Sequence, residues 1–396
     1  MNRKITLVLS LVLLASFLFG VPSSLAQNGT KWTFMVYLDA DNNLDLAGVS
    51  DVVEMQSVGS SFNVEVVVLF DRCGERCGFN GSTVLHIHDG WNETLWGSWS
   101  DEHELNMGDP ETLTWFINYT VEGFPADKYA LILWDHGGNW KGVCWDDTDD
   151  DYLEIEEVKE ALANSVIGRV DLLGFDACLM ASIEVAYTMK LSGKVGVMVA
   201  SEDSIPWDGW PYDVILEDLV ETPSWTEHEL AADIVERYVT SYAKVPVAKV
   251  YVTLSAIDCS YVDILVDDMA ALTEELLTRF DDYKETITGS KNKADRYWFG
   301  IWHQGPYIDL HQFISALGDK EKDLKPYTDP ISEQWSSLVV ASKCWQGPHN
   351  RGCKGLTIYF PRNRNSFCTP EPYYESVSEF ADETNWHTLL TTYFGM

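Results

Sequence analysis

Positive charge is scarce in this 396-residue chain. It has 27 Lys and Arg against 62 Asp and Glu, a formal net charge of −35. So acidic a surface repels nucleic acid and anionic membranes, and favours basic ligands or cations. Long apolar runs are also lacking. Beyond the N-terminal run from Ile5 to about Phe19, no stretch is long and apolar enough to cross a bilayer. Paired cysteines at zinc spacing are missing too. "CGERC", from Cys73 to Cys77, has no matching second pair, which argues against a structural zinc or redox motif. There is no internal repeat and no long linker. Aromatic residues, by contrast, are plentiful. With 16 Trp, 18 Tyr and 16 Phe, and 46% hydrophobic residues overall, the chain is globular and fills one large or two medium domains.

The N-terminus reads as a secretory signal. Arg3 and Lys4 precede the apolar run, and "SSLAQ" offers a small-x-small cleavage site after Ala26. Losing those two cations makes the mature charge −37. The expectation is an extracellular protein with no membrane contact once the signal is removed. The other reading is an uncleaved N-terminal anchor. All eight cysteines follow the signal, where disulfides are permitted. Cys73 with Cys77, and Cys344 with Cys353, are plausible local bridges. Pairing of Cys144, Cys259 and Cys368 stays open.

Strand-length apolar runs alternate with helical stretches. Strands are expected at 32–38, 64–70, 129–135, 170–176 and 194–201, with a sixth in "AKVYVTLSAID" and a late one at 354–361. Val/Ile/Leu runs without polar alternation indicate strands covered on both faces. The helical segments between them fit crossovers of a doubly wound α/β sheet. Residues 261–283 read as one long amphipathic helix, with further helices near 307–318 and 330–343. The division expected is a signal over 1–26, a core over 27–260 and an extension over 261–396.

Two strands end on reactive residues. "LILWDHGG" ends on His136, Gly137 and Gly138, and "VDLLGFDACLMA" runs through Asp176 to Cys178. In parallel α/β sheets, sites form beyond the carboxyl ends of strands. A histidine there can take and return a proton for a cysteine nucleophile. The glycines let backbone N–H groups approach a developing oxyanion. Taken singly, each residue is better explained as a buried structural side chain; together, on matched strand ends, the structural and catalytic readings stand even.

Larger blocks decide between these readings. "MVYLDADNNLD", "NMGDPETLTWFI", "ADKYALILWDHGGNWKG", "DDTDDDYLEIEEVKEAL", "DLLGFDACLMASIEVAY", "SEDSIPWDGWPY" and "KGLTIYFP" together resemble the clostripain family of cysteine endopeptidases, in the clan of caspases, legumains and gingipains. The resemblance implies an α/β fold, a caspase-like three-layer sandwich with a mostly parallel sheet and a C-terminal α/β extension packed on it. It implies His136 and Cys178 as the catalytic dyad and Gly137 in the oxyanion hole. It also implies cleavage after Arg or Lys, with Asp176 and Asp208 as acids of the P1 pocket and Asp203 as the fallback for Asp208. Asp176 reads equally as a helix cap. The partners expected are peptides or proteins with basic P1 residues. Two features depart from the family. Asn139 stands where many relatives have a third glycine. No Lys or Arg lies between Lys141 and Lys159 for self-cleavage.

The acidic loop at Asp146, Asp147 and Asp149 is a candidate Ca²⁺ site, a dependence the resemblance also implies. No EF-hand spacing completes it, and a solvated acidic turn is the plainer reading. His86 and His88 share a strand face, but the sequence shows no third ligand. Two other functions fit the chain: a non-enzymatic binding module using the Trp-rich "GWNETLWGSW" and "IPWDGWPY", and a cysteine amidase or transpeptidase.

Overall fold

The computed structural model describes residues 30–73, 81–244, 251–297, 305–345, 352–365, 367 and 370–396. The N-terminal signal expected from sequence, Cys77 and Cys368 lie outside the described residues. In chain order the strands are β1 (Trp32–Ala40), β2 (Val64–Arg72), β3 (Gly81–His88), β4 (Trp91–Gly97), β5 (Lys128–Trp134), β6 (Val143–Asp146) and β7 (Asp151–Leu153). They continue with β8 (Val170–Asp176), β9 (Val195–Ala200), β10 (Val252–Asp258), β11 (Arg296–Tyr297), β12 (Tyr307–Asp309), β13 (Val339–Trp345) and β14 (Thr357–Tyr359).

One nine-stranded sheet runs β13-β10-β9-β8-β5-β1-β2-β3-β4. Its centre, from β2 to β9, is parallel. Antiparallel strands close both flanks. Every residue of β1 is buried, as expected for a strand with helices on both faces. Phe34, Val36 and Leu38 face a layer that contains Met55, Ile215 and Ile234, from helices Asp45–Gln56, Tyr212–Glu221 and Glu227–Ala243. Met35 and Tyr37 face the other side, with Phe116, Val158, Val185 and Leu265. Those come from helices Pro110–Gly123, Ile155–Asn164, Ile183–Leu191 and Val262–Thr278. The result is the three-layer α/β sandwich expected.

The region beyond residue 260 packs on this sheet, as expected, and also contributes a strand to it. β13 pairs with β10 at the sheet edge, while β11, β12 and β14 form a small second sheet. Two local expectations are corrected. The 261–283 helix breaks at Arg279 (φ −118°, ψ 39°) into Val262–Thr278 and Phe280–Lys293. The helix expected over 330–343 is Lys325–Leu338, and residues 339–345 form β13. Val339 and Val340 favour a strand, and the unpaired edge of β10 supplies the hydrogen bonds.

Cys344 and Cys353 lie in thiol-to-thiol contact, and Ser342 Oγ donates to Cys353 Sγ at 3.5 Å. Cys144 and Cys259 are buried.

Candidate functional site

Trp134 and Asp176 are register partners at the ends of β5 and β8. The two chains therefore leave the sheet side by side, one into Asp135-His136-Gly137 and the other into Ala177-Cys178. A Cβ on Gly137 would stand 2.3 Å from the Cys178 carbonyl oxygen and 2.9 Å from its nitrogen. Only glycine permits that approach. His136, Cys178, Asp176, Trp134, Asn43 and Trp207 line one cavity of about 320 Å³.

His136 Nε2 meets Asn43 Oδ1 at 3.0 Å. An amide oxygen only accepts, so Nε2 carries the proton and Nδ1 keeps a free lone pair. The neighbouring Asn42 donates to Asp135 Oδ1 at 2.7 Å and to the Trp145 carbonyl at 2.8 Å. Asp135 Oδ2 takes the Trp145 N–H. The segment after β1 thus fixes both the histidine and the residue before it.

Burial pushes the Cys178 thiol up to about 12, with Asp203, Asp176 and Asp135 adding to the effect and the Ile205 N–H opposing it. That N–H donates to Cys178 Sγ at 3.2 Å. Burial lowers His136 below the usual imidazole value, partly offset by the charge of Asp147. Both shifts favour neutral forms, so the resting pair is thiol and imidazole. Alkylation of Cys178 by iodoacetamide in substrate-free protein, followed by peptide mapping, is therefore expected to accelerate continuously through neutral pH. An acid-side plateau, the signature of a preformed thiolate, would contradict this.

Two non-glycine residues of the loops hold left-handed backbone: Asn139 at φ 62° and Leu179 at φ 70°. Asn tolerates this region better than other side chains. Asn139 Nδ2 donates to the Leu179 carbonyl at 2.7 Å, and the Leu179 N–H donates to the Asp203 carbonyl at 3.1 Å. The residue in place of the family's third glycine thus ties the histidine loop to the cysteine loop. The C-terminal region holds the same loops from behind. Thr357 donates through its N–H and its hydroxyl to the Ala181 carbonyl, and Tyr307 OH donates to the Gly138 carbonyl at 3.3 Å. Glu184 Oε1 accepts from the Tyr359 N–H at 2.8 Å and from Tyr373 OH at 3.1 Å.

Asp176 closes the cavity. Its Oδ2 accepts from the Trp210 N–H at 3.1 Å and from Tyr212 OH at 3.0 Å. Its Oδ1 is buried without a hydrogen-bond partner. Burial raises Asp176 to about 7, opposed by those two hydrogen bonds. Asp51 lies behind it, accepting from Trp134 Nε1 at 2.6 Å. Burial, then the charge of Asp176, raises Asp51 to about 9. Asp208 is exposed, and the buried Asp203 does not line the cavity.

The acidic-loop residues separate. Asp146 joins Asp41, Asp71 and Glu104 in a cluster whose ligand atoms lie within 4.8 Å of one another. Asp147 and Asp149 are not in it. Both carboxylate oxygens of Asp41 and of Glu104, and Oδ2 of Asp71, are buried without hydrogen-bond partners. Burial and neighbouring carboxylates raise Glu104 to about 8, and burial raises Asp146 to about 6. Sequence reasoning missed Asn43, Asp51, Asp41, Asp71 and Glu104. Asn43 and Asp41 lie within the "DADNNLD" block, and that placement was the one signal for them.

The model of the clostripain family, Peptidase_C11, matches residues 36–393. Clostripain of Hathewaya histolytica is 27% identical over 438 residues, covering 92% of this chain and 81% of that protein. A secreted C11 cysteine protease of Bacteroides thetaiotaomicron, solved with an irreversible peptide inhibitor, superposes with a TM-score of 0.68. It is 22% identical, over 90% of this chain and 99% of that one. An inactive zymogen C11 protease of Parabacteroides distasonis gives 0.66 at 19% identity, over 91% and 98%.

Proposed function

The chain belongs to the clostripain family of cysteine peptidases, and from that premise we propose that it is a secreted endopeptidase cutting after Arg or Lys through Cys178 and His136. The observation that carries the specificity is the partnerless, buried Oδ1 of Asp176 in the wall of the cavity that holds the dyad. A carboxylate there pairs with a guanidinium or ammonium and with little else.

The steps follow from the resting protonation. As Cys178 Sγ attacks the scissile carbonyl, its proton passes to His136 Nδ1. The oxyanion lies against the N–H groups of Gly137 and Cys178, each such donor contributing about 3 kcal/mol. His136 then protonates the leaving amine and the C–N bond breaks, leaving a thioester. Water, deprotonated by His136, attacks the thioester and releases the acid product, and the thiol regains its proton. Asn43 holds the imidazole in the required tautomer.

Fluorogenic peptides differing only at P1 test this reading. Arg and Lys are expected to exceed Leu and Gln in kcat/KM by roughly a hundredfold or more, the worth of a buried charged pair. Equal cleavage across P1 residues would overturn it. The export pattern over residues 3–26 supports action outside the cell, and no described helix is long and apolar enough to cross a membrane.

The same reading includes a divalent cation at Asp41, Asp71, Glu104 and Asp146. Four crowded carboxylates with orphaned buried oxygens are a hard-oxygen donor set suited to Ca²⁺. Bound there, Ca²⁺ supplies charge neutralisation that locks the segment leading into Asn42 and Asn43. Exhaustive chelation is expected to suppress peptidase activity and added Ca²⁺ to restore it. Glu104→Gln is expected to raise the Ca²⁺ needed for half-maximal activity by roughly tenfold, since losing one charged ligand weakens such sites. Activity indifferent to chelation would remove the cation from the account.

A further inference from the structure

A second cluster of ligating side chains stands at the other end of the sheet. His86 and His88 lie two residues apart on β3, so both rings leave the same face. β4 sets Glu93 directly opposite His86 in register. β2 brings Glu65 to the same face, two residues before Val67, the register partner of His86. The third ligand that the sequence did not show therefore arrives through strand pairing.

The distances are those of a site awaiting a small contraction. His88 Nε2 is 3.6 Å from Glu93 Oε2, and His86 Nδ1 is 3.8 Å from the same atom. One ligand atom from each residue lies within 4.8 Å of the others. Zinc bonded tetrahedrally at about 2.1 Å sets its ligand atoms about 3.4 Å apart. The protonation also suits a metal. Glu65 Oε2 receives His86 Nε2–H at 2.7 Å, which leaves the lone pair on Nδ1. A carboxylate behind a ligating histidine is the usual outer partner of a zinc ligand. His88 Nε2 is buried and makes no hydrogen bond. The rings are held by packing, His88 stacked on Trp91 at 4.1 Å and His86 tilted against Phe124 at 4.8 Å.

We propose that His86 Nδ1, His88 Nε2 and Glu93 bind Zn²⁺, with Glu65 orienting His86 and water in the fourth position. Two imidazoles select a borderline transition cation over Ca²⁺, and Glu93 with Glu65 balances its charge. β3 is antiparallel to β2, so this site lies at the amino end of β2, away from the dyad. The ion would clip β4, the terminal strand of the sheet, onto β3.

The test uses full-length Cys178→Ala protein, which removes the dyad thiol, in excess Ca²⁺ to fill the acidic cluster. Zn²⁺ is titrated against a chromophoric chelator, and Co²⁺ is followed by its visible absorption. One equivalent of Zn²⁺ is expected, with a tetrahedral Co²⁺ spectrum. His88→Asn and Glu93→Gln are each expected to weaken binding at least about tenfold, and Glu65→Gln by about tenfold. Glu93 is largely exposed, so its variant tests the site even if His88→Asn misfolds. Absence of zinc binding, or affinity unchanged in Glu93→Gln, overturns the proposal.

Discussion

Cys178→Ala is expected to cut kcat/KM on an Arg-P1 peptide by roughly ten-thousandfold or more, and His136→Ala by a comparable factor. The two residues act as one unit. The buried thiol, pushed up to about 12, is not a nucleophile until the imidazole takes its proton. Without the sulfur the base has nothing to activate, and without the base the sulfur stays protonated. The double variant should therefore be little worse than either single one, far from the product of the two losses. The alanine also removes a thiol hydrogen-bonded with Ile205, so circular dichroism and melting must show the variant folded. A folded Cys178→Ala protein that retains substantial peptidase activity would remove the dyad from the mechanism.

Asp176→Asn is expected to lower kcat/KM for Arg and Lys substrates by about a hundred- to a thousandfold, while cleavage after neutral residues changes much less. Removing one partner of a desolvated charge pair costs about 3–5 kcal/mol. The pH profile separates this from a structural effect. Asp176 is raised to about 7, so in the wild type kcat/KM for an Arg substrate should climb as pH rises through about 7 and the carboxyl ionises. His136 is shifted the other way, below its usual range, so that limb belongs to the pocket. In Asp176→Asn the limb should move down to that of His136. Asp51, held protonated to about 9, adds no second charge at neutral pH. An unmoved acid limb would leave Asp176 a structural role only, holding the Trp210 N–H and the Tyr212 hydroxyl; the helix cap expected from sequence is instead Ser182.

The strands were legible because their signal is local. β8 was placed residue for residue, and β1, β2 and β5 within two residues, since buried parallel strands read as unbroken apolar runs. The strand character around His86 and His88 is legible, but its pairing with β4 is not, though the Asp89-Gly90 turn, with Gly90 at φ 78°, is a standard hairpin signal. β4 carries Asn92, Glu93 and Thr94 and is largely solvent-facing, so it lacks an apolar run to mark it. His136 and Cys178 were visible because each ends an apolar run. Asn43 was not, because its role exists only once β1 and β5 lie side by side. Asp51 looks like the polar face of a surface helix and instead points inward at Trp134. Asp41, Asp71, Glu104 and Asp146 come from four separate segments, and only the sheet brings them together.

The hydrogen bonds from Thr357 to Ala181 span 176 residues, and they bear on timing. The turn after the nucleophile gains these bonds only once residue 357 has docked against it. Contacts so distant in sequence form late, after the costly closure of a long loop. A chain still being synthesised or exported has both reactive side chains but no finished site around them. Completion of the turn that carries Cys178 is thereby tied to the docking of a strand far along the chain, a delay written into the topology.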